Sequence, residues 1–409
     1  MRTPLQTELL DRPSEAVELE ATLLMPCLNE AETIARCVME ARAALARAGV
    51  AGEVLVADNG STDGSQVLAA AAGARVVQIA GRGYGRALAG GVRAARGRYV
   101  LMGDADGSYD FGELPRFLDR LDDGADLVMG CRLPAGGGRI LPGAMPWKHR
   151  WVGNPVLSRL GRLFFAVPVH DLHCGLRAFR REAIERLDLR CPGMEYASEM
   201  VVRAAMAGLR LAEVPVTLRP DGRSRPPHLR SWRDGWRHLR FMLLFSPRWL
   251  FLVPGLALAG VSLVMFLLLL AGPLRVGSVT FDINTLILAG SGLVTGIQIV
   301  LIGILAKAAA IGLGLAPPTP LLTRLQGRGP VELGLLTGAA LLLLGVGYVL
   351  WAVESWREAG FGDLPPHESV RIVVPAVTAI AIGIQLAFSG FVLAMIEFGR
   401  ELRLQRDRP

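Results

Sequence analysis

Hydrophobic positions divide this chain into two stretches with different periods. Up to about residue 217, short apolar runs of strand length alternate with amphipathic stretches of helical period. The runs are Thr22–Cys27, Glu53–Ala57, Arg75–Ile79, Arg98–Gly103 and Asp126–Gly130. Between them lie Glu30–Ala48, Ser65–Ala72, Tyr84–Arg96 and Glu113–Asp122, rich in Ala, Leu and Arg. Strands alternating with helices of this length predict βαβ units and a mostly parallel sheet. Glu213–Leu218 reads as one further strand. The pattern therefore predicts an α/β domain over 21–220, preceded by a polar extension over 1–20.

The second stretch has no such alternation. Four long apolar segments, Trp249–Leu270, Ile283–Ala306, Val331–Val353 and Ile372–Ile396, occupy most of 249–398. Each is long enough to cross a hydrocarbon core of about 30 Å, so a four-helix transmembrane domain is expected. An even number of spans returns the tail, 399–409, to the side of the first domain. Lys307, Arg324 and Arg328 fall on that side with Arg400, Arg403, Arg406 and Arg408. The opposite loops hold Arg275, or Arg357 and Arg371 diluted by Glu354, Glu358, Asp363 and Glu368. The Lys/Arg bias points the α/β domain and the tail to the cytosol, from a multi-pass position in the cell (inner) membrane. No apolar stretch follows a basic start, so no cleavable signal peptide is expected.

Composition fits this division. Hydrophobic residues make up 51% of the chain, and the net charge is +7. Arg219, Arg223, Arg225, Arg230, Arg233, Arg237, Arg240 and Arg248 crowd one stretch, with Trp232, Trp236, Phe241 and Trp249 among them. Aromatic-rich basic segments occur in nucleic-acid binders. Next to an apolar span, the better reading for 221–248 is an interfacial helix on anionic lipid, with no nucleic-acid partner. The five cysteines (27, 37, 131, 174 and 191) show no CxxC spacing, so reduced thiols are expected rather than zinc or disulfides.

Candidate chemistry gathers where the strands end. Asp104-Ala105-Asp106 follows the run Arg98–Gly103, placing two carboxylates at the C-terminal end of a buried strand. Ligands of open α/β sheets bind there. Such a pair suits Mg²⁺, which takes one or two carboxylates together with substrate phosphates. Met25-Pro26-Cys27-Leu28-Asn29-Glu30 ends the first strand. Asn29 could cap the next helix in something close to a capping box with Glu32, or could line a nucleotide crevice. Asp58-Asn59-Gly60-Ser61-Thr62-Asp63-Gly64 ends the second. It is either a polar turn capping a helix, or a loop in which Asp58 accepts from a base or ribose. Arg82-Gly83-Tyr84-Gly85 could present backbone N–H groups to phosphates. Arg132 and Arg177 each follow a Gly-containing turn; the choices are surface cation or phosphate ligand. His170 and His173 flank Asp171; one could be a ligand, but hydrogen-bonded structural residues are the better reading and neither is assigned a role.

Taken in this order on consecutive strands, the four motifs resemble glycosyltransferase family 2. The likeness continues through Met129-Gly130-Cys131-Arg132, Asp171–Phe179, Glu195–Glu199 and Glu213–Val216, over roughly residues 20 to 240. It is similar to the branch of dolichol-phosphate mannosyltransferases and bacterial polyprenyl-phosphate glucosyltransferases. The resemblance implies a Rossmann-like GT-A catalytic domain that binds a nucleotide-sugar and a divalent ion, Mg²⁺ or Mn²⁺. It implies a nucleoside site at Pro26, Glu30 and Asp58, lined further by Asn29, Gly60, Ser61, Arg82, Gly83 and Gly85. Asp104 and Asp106 would hold the metal, Arg132 and Arg177 the acceptor phosphate, with Asp171 and Glu199 near the donor sugar. Three positions depart from the family pattern: Asn59 stands where a second Asp is commoner, Ser108 where many relatives place Gln, and Ser224-Arg225 where Ser-Lys is usual.

The implied activity is inverting transfer of glucose or mannose, from UDP-glucose or GDP-mannose, to a polyprenyl or dolichyl phosphate at the bilayer. Transfer to a glycolipid or glycan hydroxyl is the alternative, with Asp171 or Glu199 as base. A Gln-x-x-Arg-Trp motif is absent, which argues against a processive synthase. A membrane transporter with a degenerate nucleotide-binding domain is disfavoured. Ionisable residues Lys307, Glu332, Glu354 and Glu397 fall at span ends, leaving Gln298 and Gln385 as the mid-span polar groups. The Gly-rich spans suit helix packing or a homo-oligomer.

Overall fold

The computed structural model describes residues 19–224, 231–313 and 328–406. They fall into two compact units that divide between Met242 and Leu243. Most of the 1–20 extension, Arg225, Arg230, Arg324 and Arg408 lie outside the described residues.

The first unit is α/β. In chain order it comprises β1 (Ala21–Cys27), α1 (Ile34–Ala48), β2 (Gly52–Asp58), α2 (Ser65–Ala71), β3 (Arg75–Gln78), α3 (Tyr84–Ala94), β4 (Tyr99–Met102), α4 (Leu114–Asp122), β5 (Leu127–Cys131), β6 (Arg139–Ile140), α5 (Asn154–Phe165), β7 (Arg177–Arg180), α6 (Arg181–Glu185), α7 (Tyr196–Met206), β8 (Leu211–Pro215), β9 (Thr217–Leu218) and α8 (Ser231–Leu244). Seven strands form one sheet in the order β3-β2-β1-β4-β7-β5-β8, and β6 pairs with β9 apart from it. Every ladder in the large sheet is parallel except the two made by β7.

Burial follows from the strand period. In β1, Leu23 and Met25 face one apolar cluster and Leu24 the other, so both faces of the sheet are covered. The first cluster takes in Ile34, Val38 and Leu45 of α1 with Phe117 and Leu121 of α4. The second takes in Leu88 of α3, Met200 and Val201 of α7 and Met242 of α8.

All six predicted strands are present, but Glu213–Leu218 is divided between β8 and β9. The first helix starts at Ile34 instead of Glu30, because residues 28–33 form a loop with Asn29 at φ 58°. Strand β7 and helices α5, α6 and α7 go beyond the predicted elements. Strand β7, Arg-Ala-Phe-Arg, is too short and too charged at its ends to carry a strand period.

The second unit holds four helices apolar and long enough to cross a membrane: Arg248–Leu270, Ile283–Gly312, Glu332–Glu358 and Pro366–Gly399. They belong to α9 (Val253–Leu270), preceded by one wide turn, α10 (Ile283–Gly312), α11 (Arg328–Glu358) and α12 (Pro366–Arg406). A short hairpin, β10 (Leu274–Val276) with β11 (Val279–Phe281), joins the first two. Small residues let the helices approach. A Cβ on Gly338 of α11 would lie 2.7 Å from the Gly383 carbonyl oxygen of α12. The mid-span polar groups serve each other, Gln385 donating to Gln298 across α12 and α10 at 3.1 Å.

Candidate active site

Parallel pairing brings the C-terminal ends of β1, β2 and β4 to one edge, where the strand order reverses about β1. Because β7 runs antiparallel, Arg177 at its start pairs with Met102 and Met129 at that same edge. The loops after β1, β2, β4 and β5 and the loop before β7 therefore converge.

The first two loops are stapled together. The N–H of Asn29 donates to Ser61 Oγ (2.9 Å), that of Glu30 to Ser65 Oγ (2.8 Å) and that of Ala31 to an Asp63 oxygen (3.0 Å). The Asn29 side chain accepts from the Thr62 N–H at 2.8 Å, so Asn29 is a loop staple and not a helix cap. Asp58, 1% exposed, accepts from the Gly60 and Ser61 N–H groups and from Gln66 Nε2 (3.1, 3.2 and 2.9 Å). Its carboxylate is occupied in shaping its own turn. Pro26 is the penultimate residue of β1, one before the carbonyl of Cys27 that accepts the Asn59 N–H at 2.9 Å.

Asn59 was not singled out as a site residue, yet it fixes the next loop. Its Oδ1 accepts from the Gly83 N–H (2.6 Å), and its Nδ2 donates to the Gly81 carbonyl (2.8 Å). An amide can do both; a carboxylate, the commoner residue in the family pattern, can only accept. The signal was the departure itself. The glycines of this loop answer to packing. A Cβ on Gly83, at φ 144°, would lie 2.2 Å from the Pro192 carbonyl oxygen, and one on Gly85 2.2 Å from that of Cys191. Gly83 N–H is engaged by Asn59 and Gly85 N–H by the Pro192 carbonyl (3.0 Å), so both glycine donors are bonded within the protein. Arg82 is exposed.

Tyr84, between those glycines, donates its hydroxyl to Asp104 at 3.0 Å. Burial, with the charge of Asp106 beside it, pushes the Asp104 carboxyl up to about 6. Asp106 accepts from the Ser108 N–H at 2.9 Å and pairs with Arg223, whose other nitrogen meets Glu30 at 3.1 Å. The segment carrying Arg223 lies along the site: Arg219 N–H donates to the Ser108 carbonyl, Gly222 N–H to that of Asp106, and Ser224 binds Glu32 through both N–H and hydroxyl. Among the described residues no three metal-ligating side chains cluster. An ion here would rest on Asp104 and Asp106 and complete its shell from a substrate. The donor set fits one: two hard oxygens, mutual repulsion, and a guanidinium already attracted to the same charge.

The facing edge is held by side chains from distant strands. Arg132, just past β5, grips Asp171 in a fork, Nε to one oxygen at 2.7 Å and Nη2 to the other at 2.9 Å. Both are buried, and Asp171 outweighs burial to keep the guanidinium charged. Tyr109 Oη accepts from Arg132 (3.3 Å) and from the Gly175 N–H (2.9 Å). Gly175 closes the gap to the first edge, since a Cβ there would lie 2.7 Å from Asp104 Oδ2. Glu213 of β8 accepts from the N–H groups of His170 and Asp171 and pairs with the His170 ring at 2.8 Å.

Two expected site residues sit behind this surface. Arg177 is fully buried and donates to the carbonyls of Cys174 (2.6 Å) and Ala197 (2.7 Å), with burial lowering its basicity. Glu199 accepts from the N–H groups of Arg190 (3.0 Å) and Cys191 (2.8 Å), bracing the segment against which Gly83 and Gly85 pack. Their direct roles at phosphate and sugar thus give way to internal contacts. His173 bonds Ser198 (3.3 Å), which also bonds His238 of α8 (2.7 Å). Burial, then the charges of His238, Arg132 and Arg177, hold His173 well below the usual histidine range. All five cysteines are free thiols.

The sequence profile of Glycosyl transferase family 2 matches residues 22–188, and that of the Glycosyltransferase family 2 C-terminal transmembrane region matches 304–397. The chain is 39% identical over 392 residues to the low-salt glycan biosynthesis hexosyltransferase Agl6 of Haloferax volcanii, covering 95% of this chain and 92% of that protein. It is 35% identical to a dolichyl-phosphate hexose transferase of the same organism, over 41% of this chain and 70% of that one. It is 36% identical to the polyprenol monophosphomannose synthase of Mycolicibacterium smegmatis, over 48% and 76%.

Proposed function

This chain belongs to glycosyltransferase family 2, and from that premise we propose that it moves a hexose from a nucleotide-diphosphate sugar to a polyprenyl or dolichyl phosphate at the cytosolic face of the membrane. The observation that carries the reading is the cleft itself: paired carboxylates at the end of β4 face a forked arginine after β5, in a chain with four apolar spans. It is a membrane glycosyltransferase; the donor, acceptor and face are the proposal. The relatives named for dolichyl phosphate and polyprenol support this acceptor, and UDP-glucose and GDP-mannose are both candidate donors.

A phosphate monoester with a second pKa near 6 is mostly dianionic at neutral pH, so the nucleophile needs no strong base. The protein must orient it and offset its repulsion from the donor. Arg132, fixed by Asp171 and Tyr109, presents a preorganised positive charge for that task. The stapled loops after β1 and β2 shape the nucleoside crevice, with Glu30 and Arg223 at its rim. Asp104 and Asp106 would hold the divalent ion, which when bound offsets charge on the departing diphosphate. Tyr84 orients Asp104 by its hydrogen bond. A single displacement inverts the anomeric carbon.

Transfer to a sugar hydroxyl fits less well. It calls for a carboxylate base, and Asp171, the residue suited by position, has both oxygens engaged by a buried guanidinium. The test is transfer of label from a panel of nucleotide-sugars into the organic phase, using membranes holding the full chain, polyprenyl phosphate and Mg²⁺ or Mn²⁺, with EDTA as control. Metal-dependent, acid-labile lipid label from one donor is expected. Nucleotide binding without lipid label from any donor would overturn the acceptor.

A further inference from the structure

Helix α5 and the wide turn before it, His149–Gly153, are apolar toward the core and carry apolar side chains on their outer surface as well. Inward, Leu157, Leu160 and Phe164 pack on the cluster that holds Met242 of α8. Outward, Val152, Val156 and Leu163 stand 53%, 45% and 53% exposed, at the spacing of one helical face. Trp147 and Trp151 extend that surface at 65% and 66% exposed. Arg159 stands exposed on that same face, so the helix presents apolar and basic groups together, as a helix lying in a membrane interface does. By contrast, α4 of the same unit turns Arg116, Asp119 and Arg120 outward.

Charge says what covers the outer face. No Asp or Glu occurs between Asp126 and Asp171, whereas Lys148, Arg150, Arg159 and Arg162 all lie within or beside this helix. Lys148 and Arg150 stack on the rings of Trp147 and Trp151 (5.9 and 5.3 Å), pairing cation and indole as headgroup-level anchors do. The other tryptophans of the chain are likewise exposed or near span ends. Trp232 and Trp236 are exposed on α8, Trp249 opens the first span, and Trp351 and Trp356 lie near the end of the third. The two remaining, of seven, are Trp147 and Trp151, and none is in the sheet core.

We propose that Trp147–Leu163 is a second membrane-docking surface of the catalytic unit, separate from α8, which lies on an anionic phospholipid bilayer with its indoles at headgroup level. Two contacts fix an orientation where a single tether leaves rotation free. Ser158 of α5 accepts from the Leu172 N–H at 3.1 Å, one residue past Asp171, so this surface adjoins the Arg132–Asp171 edge. Docking there would hold that edge at headgroup height. The inference rests on the reading of a bilayer-held acceptor, but its test does not require turnover.

The full chain is reconstituted into nanodiscs of phosphatidylcholine, with and without phosphatidylglycerol, and with brominated acyl chains as quenchers. Subtracting the Trp147→Phe/Trp151→Phe variant from wild type isolates the emission of the two indoles. That difference signal is expected to be quenched by bromolipid and shielded from iodide when phosphatidylglycerol is present. Arg159→Glu/Arg162→Glu should weaken its bromolipid quenching roughly two-fold or more, since both cations are replaced by anions at an anionic surface. Emission open to iodide and untouched by bromolipid would place the surface in water. Emission hidden from both quenchers would place it against protein. Either result overturns the proposal. Lipid quenching without sugar transfer from any donor would leave docking intact and remove only the proposed reaction.

Discussion

The two edges of the cleft are built by different means. After β1, β2 and β4, side chains bond the backbones of neighbouring loops: Asn29, Ser61, Asp63 and Asn59 each hold a loop no more than one crossover away. What that edge leaves unresolved is negative charge, on Asp104 and Asp106, with Arg223 drawn in beside it. After β5 and before β7, the structure depends on side-chain pairs between distant strands, Arg132 with Asp171 and Glu213 with the chain at 170–171. There the charges are already matched. One edge is left wanting a cation, and the other holds its own cation rigid. A donor diphosphate with its metal suits the first, and an incoming phosphate the second.

The sharpest way to break this contrast is Asp106→Asn. Transfer is expected to fall by about 10²–10³-fold, the scale of losing one charge-stabilising contact, with membrane insertion unchanged and a smaller loss of stability than at the opposite edge, since Arg223 keeps Glu30 and Asp221 as partners. Near-wild-type turnover would remove the metal assignment. On the opposite edge the order of effects should reverse, with stability suffering first. Arg132→Ala leaves Asp171 buried without its partner and should cost about 3–5 kcal/mol, read as the denaturation midpoint in detergent. The double replacement Arg132→Met/Asp171→Leu should recover much of that stability while staying inactive. If it regained activity, the pair would be scaffold alone. Smaller still is Tyr84→Phe, which deletes the hydrogen bond to Asp104 at a cost of about 1 kcal/mol. Its expected signature is a several-fold higher Mg²⁺ requirement with a denaturation midpoint lowered by no more than a few degrees. An unaltered metal titration would show that Tyr84 does not position the carboxylate.

The first edge was legible because each of its loops is a contiguous word. A strand, a Gly-rich or Asx-rich turn and a helix give both the fold and the place of Asp104 and Asp106 without any knowledge of long-range contacts. The four spans were legible for a similar reason: twenty or so apolar residues carry the signal by themselves. The second edge was not, because its determinants are pairings. Nothing in Arg132 announces Asp171 as its partner, and nothing in β7 announces an antiparallel strand that turns Arg177 inward. Arg177, two residues past a glycine, and Glu199, in the first turn of a helix, read like surface residues, and only the packing of α7 distinguishes them. Asn59 marks the border between the two cases: visible as an odd residue in a familiar motif, with a purpose that appears only once the Gly81–Gly83 loop is placed against it.

Titration of His173 gives a finer measure of how closed the second edge is. Burial opposes its protonation, and His238, Arg132 and Arg177 add repulsion, so its folded-state pKa lies well below 6.5. The neutral ring is bonded to Ser198, which in turn holds α8 through His238. With the folded pKa depressed, both states are neutral above about pH 6.5, and the full contribution to stability is present there. As pH falls through that value the unfolded chain takes up a proton that the folded chain refuses, so stability drops with a limiting slope of about 1.4 kcal/mol per pH unit. Thermal midpoints in detergent should therefore decline between pH 7 and pH 5, and His173→Gln should flatten the decline while lowering the midpoint at pH 7. A His173→Gln profile parallel to wild type would mean that the ring is protonated in the folded protein. The junction of α8 with this edge would then be open to water, and the contrast between a cation-seeking edge and a closed one would fail at its most accessible point.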